Sequence, residues 1–151
     1  MLTKKSLLLL LIATQMIGCA GDVKKEHQQP ENLTEATFFD SGVFDQDLSS
    51  KLSQNPDKFV IKPSTPLNVN KLPERVDRWL SKIKQENGNV QLKEYSPTPT
   101  KDMSLLMDMA VKLFDLAQDK IMYNPAKEYD AIVEYEKSSG EVKQIMLYKK
   151  K

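Results

Sequence analysis

Hydrophobic positions change their period several times along the chain, and each change marks an element. Leu72, Val76, Trp79, Leu80 and Ile83 lie at offsets of four, seven, eight and eleven residues, one face of a helix. Pro73 and Glu74 suit its first turn, and Asn87-Gly88 supplies a left-handed stop. Val90 and Leu92 then alternate with Gln91 and Lys93, the period of a strand with one buried face. Upstream, Phe59-Val60-Ile61 closed by Pro63 reads as a brief strand. Near the C-terminal end, Tyr129, Ala131, Val133 and Tyr135 alternate with Asp130, Ile132 and Glu134, and a second run holds Val142, Ile145, Met146, Leu147 and Tyr148. Ser138-Ser139-Gly140 between them predicts a hairpin loop with Gly140 left-handed. If Lys137 stands opposite Glu141, Val133 faces Ile145 and Ala131 faces Leu147, which puts matching apolar pairs on one side.

Two stretches are more open. After the connector Ser96-Pro97-Thr98-Pro99-Thr100, a second helix is expected from a cap at Thr100 or Asp102 to about Met122, stopped by Asn124-Pro125. Ser104, Asp108, Lys112, Asp115 and Asp119 would form its one narrow polar stripe, with nearly every other position apolar. Such a helix must bury more than one side, either at the centre of a small core or against a partner, the membrane or a ligand. In residues 30–57, Phe44, Leu48 and Leu52 recur every fourth position, so a short helix over 45–53 is plausible before Asn55-Pro56. That segment is either an arm packed on its own domain or a docking piece that folds against a partner.

The predicted order is strand, helix, strand, helix, strand, strand: an α+β domain with two helices on one face of a small sheet and a C-terminal β-hairpin. This order is similar to that of the OmpA-like peptidoglycan-binding domain, a likeness of topology that would imply a cell-wall tether. Arg75 and Arg78 do not have the spacing of that family's ligand-holding Asp and Arg, so no binding residues carry over.

The beginning of the chain has a different character. Lys4 and Lys5 precede an unbroken apolar run from Leu7 to Ala13, and the apolar stretch is about 15 residues even when extended to Ala20. A spanning helix needs roughly 20, so an export signal fits better than an uncleaved membrane anchor. Met16-Ile17-Gly18-Cys19 resembles the lipobox of bacterial lipoproteins. That resemblance implies removal of residues 1–18, a diacylglyceryl group on the Cys19 sulfur, and in many bacteria a further acyl chain, such as palmitate, on the new amine. Two or more chains hold a protein firmly, since each buried methylene contributes about 0.8 kcal/mol. Ala20, in place of the Asp that marks inner-membrane retention in enteric bacteria, points to the outer membrane, facing the periplasm.

From Ala20 to Gln29 the only large aliphatic residue is Val23, too little to offset the entropy of ordering. The expected organisation is therefore a lipoprotein signal peptide (1–18), a lipidated flexible tether with a possible short helix (19–57), and a small α+β domain (58–151).

Composition narrows the function classes. With a net charge of +1 over 151 residues, the chain lacks the basic face of a nucleic-acid binder. The single Cys excludes an internal disulfide, and the single His, His27 in the tether, leaves no Ser–His–Asp or Cys–His constellation. No Gly-rich phosphate loop occurs among the five glycines. No catalytic, cofactor or metal site is expected, and Trp79 reads as core, with Arg75, Arg78, Lys82 and Lys84 on a solvated face. Three roles fit: an envelope module docking a protein partner, a carrier of an apolar ligand on the broad face of the second helix, and a peptidoglycan-associated tether. In each, membrane lipid is engaged through acylated Cys19.

Overall fold

The computed structural model describes residues 34–97, 106–117 and 119–151. Cys19, the expected signal segment and residues 19–33 of the expected tether lie outside the described residues, as do residues 98–105, which include the expected start of the second helix.

Among the described residues, ten short elements make an α+β fold. They are β1 (Thr34–Phe38), α1 (Gly42–Ser53), β2 (Lys58–Pro63), α2 (Glu74–Gln85), β3 (Val90–Glu94), β4 (Met107–Asp108), α3 (Lys120–Tyr123), a 3-10 turn (Asn124–Glu128), β5 (Tyr129–Tyr135) and β6 (Val142–Lys149). The strands form one sheet in the order β1-β2-β6-β5-β3-β4. β1 is parallel to β2 and β3 to β5, while β2–β6, β6–β5 and β3–β4 are antiparallel.

Side-chain alternation sends one set of strand residues under the helices. Ala36, Ile61, Ile145 and Val133 lie on one rung, and Phe59, Leu147, Ala131 and Val90 on the next. These residues join Phe44, Leu48 and Leu52 of α1 and Val76, Trp79, Leu80 and Ile83 of α2 in one core. Val60 and Met146 are buried outside that core, consistent with their intervening positions on β2 and β6. Two helices on one face of the sheet is the expected layering, but α1 supplies one of them.

The domain therefore starts earlier than the expected residue 58. Residues 34–57, placed in the tether segment but with an arm packed on its own domain left open, contribute an edge strand and a core helix. Thr34–Phe38 was not legible as a strand because only Ala36 and Phe38 point inward, and its parallel partner lies 25 residues on. Phe44, Leu48 and Leu52 are each at most 2% exposed, so the every-fourth-residue pattern marked a buried stripe. Ser41 caps α1, its Oγ accepting from Val43 N–H at 3.2 Å.

The expected helix over 102–122 is corrected over its described part: residues 106–117 form β4 and an extended strap. Met109 N–H donates to Val90 O at 2.9 Å, and Phe114 N–H donates to the buried Ser81 Oγ at 3.0 Å. The sheet edge and α2 thus take backbone donors that a helix would use internally. A run that is almost wholly apolar fits a helix at any phase, and it equally fits a strap that buries some positions and exposes others. Met109 and Leu116 are buried, whereas Leu106, Met107 and Leu113 are exposed. Among the described residues of this run, helical turns begin at Lys120, and Pro125 sits in the 3-10 turn that follows.

The C-terminal hairpin has the expected register, Val133 with Ile145 and Ala131 with Leu147. Gly140 is left-handed, with φ +72°. The loop end differs by one residue: a bulge at Glu134/Tyr135 places Tyr135 opposite Val142, and Glu136 rather than Lys137 pairs with Glu141. Both long helices stop on left-handed asparagines, Asn55 and Asn87. Gly88 then donates to Ile83 O at 2.8 Å, and a Cβ there would sit 2.7 Å from the Tyr129 carbonyl oxygen. That close approach, not positive φ, requires the glycine.

Tyr129 fastens the far end of α1 to the sheet. Its buried hydroxyl donates to Pro56 O at 3.0 Å, and burial, aided by Asp57 and Glu128, pushes its pKa up to about 12. The folded state thus keeps a proton that the unfolded chain releases near pH 10. Stability from this group is full below pH 10 and is lost as pH rises through about 12. Denaturation curves should show an alkaline fall over that window in the native protein and a flatter profile in Tyr129→Phe.

Candidate functional site

The densest polar arrangement lies where α1 and α2 begin. Both helices start at the same end of the sheet, because each returns along a strand whose C-terminal end it follows. Positive N-terminal ends attract carboxylates, and Asp45 and Glu74 occupy the first turns of α1 and α2.

Asp45 is only 4% exposed and accepts from two side chains of α2. Trp79 Nε1 donates to its Oδ1 at 2.8 Å, and Arg75 Nη1 bonds its Oδ2. Arg75 Nε also donates to the exposed Asp40 at 3.0 Å. One turn on, Arg78 Nη2 donates to Glu74 at 2.7 Å while its Nη1 reaches Asp119 at 3.1 Å, tying α2 to the residue before α3. The Glu74 hydrogen bond chiefly raises the Arg78 pKa. Tyr123 packs edge-to-face on Trp79, centroids 4.8 Å apart, and burial raises its phenol above the ordinary value while Arg78 pulls it down.

These groups line a cleft of about 470 Å³ in which four carboxylates, Asp40, Asp45, Glu74 and Asp119, face the guanidiniums of Arg75 and Arg78. Through Asp119 and Met122 it continues into a groove of about 450 Å³ floored by Gln46, Ser49 and Ser50 of α1. Ile121 borders that groove and is 92% exposed.

No protein-family model, curated protein or solved structure matches the chain. The reading of the site rests on its own geometry.

Each of the six charged groups lining the cleft is paired within the chain. Among the described residues, no group of three or more His, Cys, Asp or Glu side chains is arranged to hold a metal ion. Trp79 is core, as its stripe predicted, but it also holds Asp45. Arg75 and Arg78, expected on a solvated face, are instead held in the cleft, Arg75 with a 25% exposed side chain. Asp40, Asp45 and Tyr123 carried no sequence signal of their own, and Asp119 was legible only as part of the polar stripe of the expected second helix. The one clue was the indole N–H of Trp79, since a buried indole donor needs an acceptor. Cys19 and His27 lie outside the described residues.

Proposed function

We propose that this chain is a lipid-anchored protein of the bacterial cell envelope that docks a protein partner and has no catalytic role. One observation carries the reading: Lys4-Lys5, a short apolar run and Ile17-Gly18-Cys19 stand in the order of an export signal with a lipid-modified cysteine. Among the described residues, no helix is long and apolar enough to cross a membrane. The docking part is supported by the paired charges of the cleft and by the bare Ile121 at its flank. Residues 106–117 form β4 and a strap, not the broad apolar helix from which the carrier reading starts, and so do not favour it. Enclosed apolar space among Phe44, Ile61, Trp79 and Leu147 is about 10 Å³, smaller than a hydrocarbon ligand needs.

Cys19→Ser tests the anchor. The native protein is expected in the membrane fraction and the variant in the soluble fraction; a variant that still pellets with membranes would overturn the reading. A photocrosslinking residue at position 121 should capture one protein in living cells, and one at the exposed Thr37, on the sheet face away from the helices, should not.

A further inference from the structure

The register of the sheet fixes where the proposed tether meets the fold. Thr34 opens β1 on the rung that holds Phe59, Leu147, Ala131 and Val90. Just beyond that rung, Lys58 pairs with Tyr148 and Tyr129 with Lys149. Since α1 and α2 run back along the sheet, their C-terminal ends arrive at this same end, and the Arg75–Asp45 cleft lies at the other.

Lysines gather where the tether joins. Lys58 starts β2, Lys82 and Lys84 end α2, Lys127 lies in the 3-10 turn, and Lys149, Lys150 and Lys151 finish the chain. Lys150 Nζ donates to Glu86 O at 2.9 Å and Lys127 O at 2.7 Å, which binds three of these pieces together. Among the described residues, the side-chain carboxylates at this end are Asp57, Glu86, Glu128 and Asp130, fewer than the lysines, of which Lys82 is largely covered with a 12% exposed side chain. Glu86 is taken by Lys82 at 2.5 Å, and Glu128 lies 3.8 Å from Lys127. The helix macrodipole accounts for cations beside the last turn of α2, and Lys58 lies over the Tyr148 ring at 5.6 Å, whereas Lys149 and Lys151 stand on a strand and beyond it.

We propose that this lysine end docks on anionic phospholipid headgroups, holding the domain upright on the membrane with the Arg75–Asp45 cleft pointing away from it. The inference rests on the lipid-anchor reading above. Fourteen residues, 20–33, separate Cys19 from Thr34 and can extend to about 50 Å, so chain length alone does not impose contact. Charge complementarity supplies the contact. Tethering makes the encounter intramolecular, so the weak attraction of a few lysines suffices.

The test uses the full-length lipidated protein in vesicles of phosphatidylethanolamine with phosphatidylglycerol, and in vesicles of phosphatidylcholine alone. Lysines are acetylated with an amine reagent and quantified one by one by mass spectrometry. Lys127, Lys149 and Lys151 should be protected about threefold or more in the anionic vesicles, and about 0.5 M salt should abolish the protection. Lys62 and Lys137, with side chains 54% and 74% exposed and situated towards the cleft end, should react alike in both. Equal labelling of all five lysines in both vesicles, or protection of Lys62 and Lys137 instead, would overturn the inference. Sedimentation in the same samples separates the two claims: protein that pellets with both vesicles but shows no protection is anchored yet not docked, whereas protein that pellets with neither refutes the anchor. The double variant Lys149→Glu/Lys151→Glu should still pellet and lose protection at Lys127.

Discussion

Asp45→Ala should destabilise the domain by about 3–5 kcal/mol, the usual cost of removing one partner from a buried, hydrogen-bonded ion pair. The substitution strips Trp79 Nε1 of its acceptor and leaves Arg75, itself largely covered, with only the exposed Asp40. Both losses fall on α2, at its polar link to α1. Asp45→Asn keeps an oxygen for the indole and should lose less. Asp40→Ala, at an exposed site, should change stability by no more than about 1 kcal/mol. Trp79 is the only tryptophan, so its emission reports the site directly during denaturation. A red-shifted native spectrum in Asp45→Ala is expected, and a stability loss below about 1 kcal/mol would show that the network is not what joins the helices.

Phe44→Ala should cost a similar amount, about 3–5 kcal/mol, by cavity formation in the core. Phe44 is 1% exposed and stands edge-to-face on Phe38 at 4.9 Å, so the deletion is felt in both α1 and β1. Phe39, 43% exposed, supplies the control, and its alanine variant should be nearly neutral. The comparison bears on where the domain begins. If residues 34–53 were an arm resting on a fold that starts at 58, Phe44→Ala would free the arm and leave the unfolding midpoint of the remainder almost unchanged.

The parts that could be read from the chain are those in which one local period dominates. α2 has a single apolar stripe bounded by Pro73 and Asn87, and the hairpin has two alternating runs around Gly140; both stand where the pattern puts them. The stretch 106–117 fails for the opposite reason, because near-uniform apolarity carries no phase. Its conformation is decided by long-range donors and acceptors such as Val90 O and Ser81 Oγ. β1 fails because five residues with two inward positions do not rise above background, and its pairing is parallel to a strand beyond an intervening helix. The cleft was the least legible. Asp45 meets Arg75 and Trp79 across 30 and 34 residues, and no spacing rule links positions so far apart until the helices are packed. Arg75 and Arg78 were visible as cations off the apolar stripe, but their partners were not.

The proposed anchor stands on a different kind of signal, an ordered series of residue types like those that processing enzymes read, and it can be checked without any reference to the fold. The intact mass of the mature protein, taken from membranes, is the most direct measurement. The account predicts a chain that begins at Cys19 and exceeds the mass of residues 19–151 by a diacylglyceryl group, with or without a third acyl chain. A mature chain that retains residues 1–18, or one that starts elsewhere and carries no lipid, would contradict it.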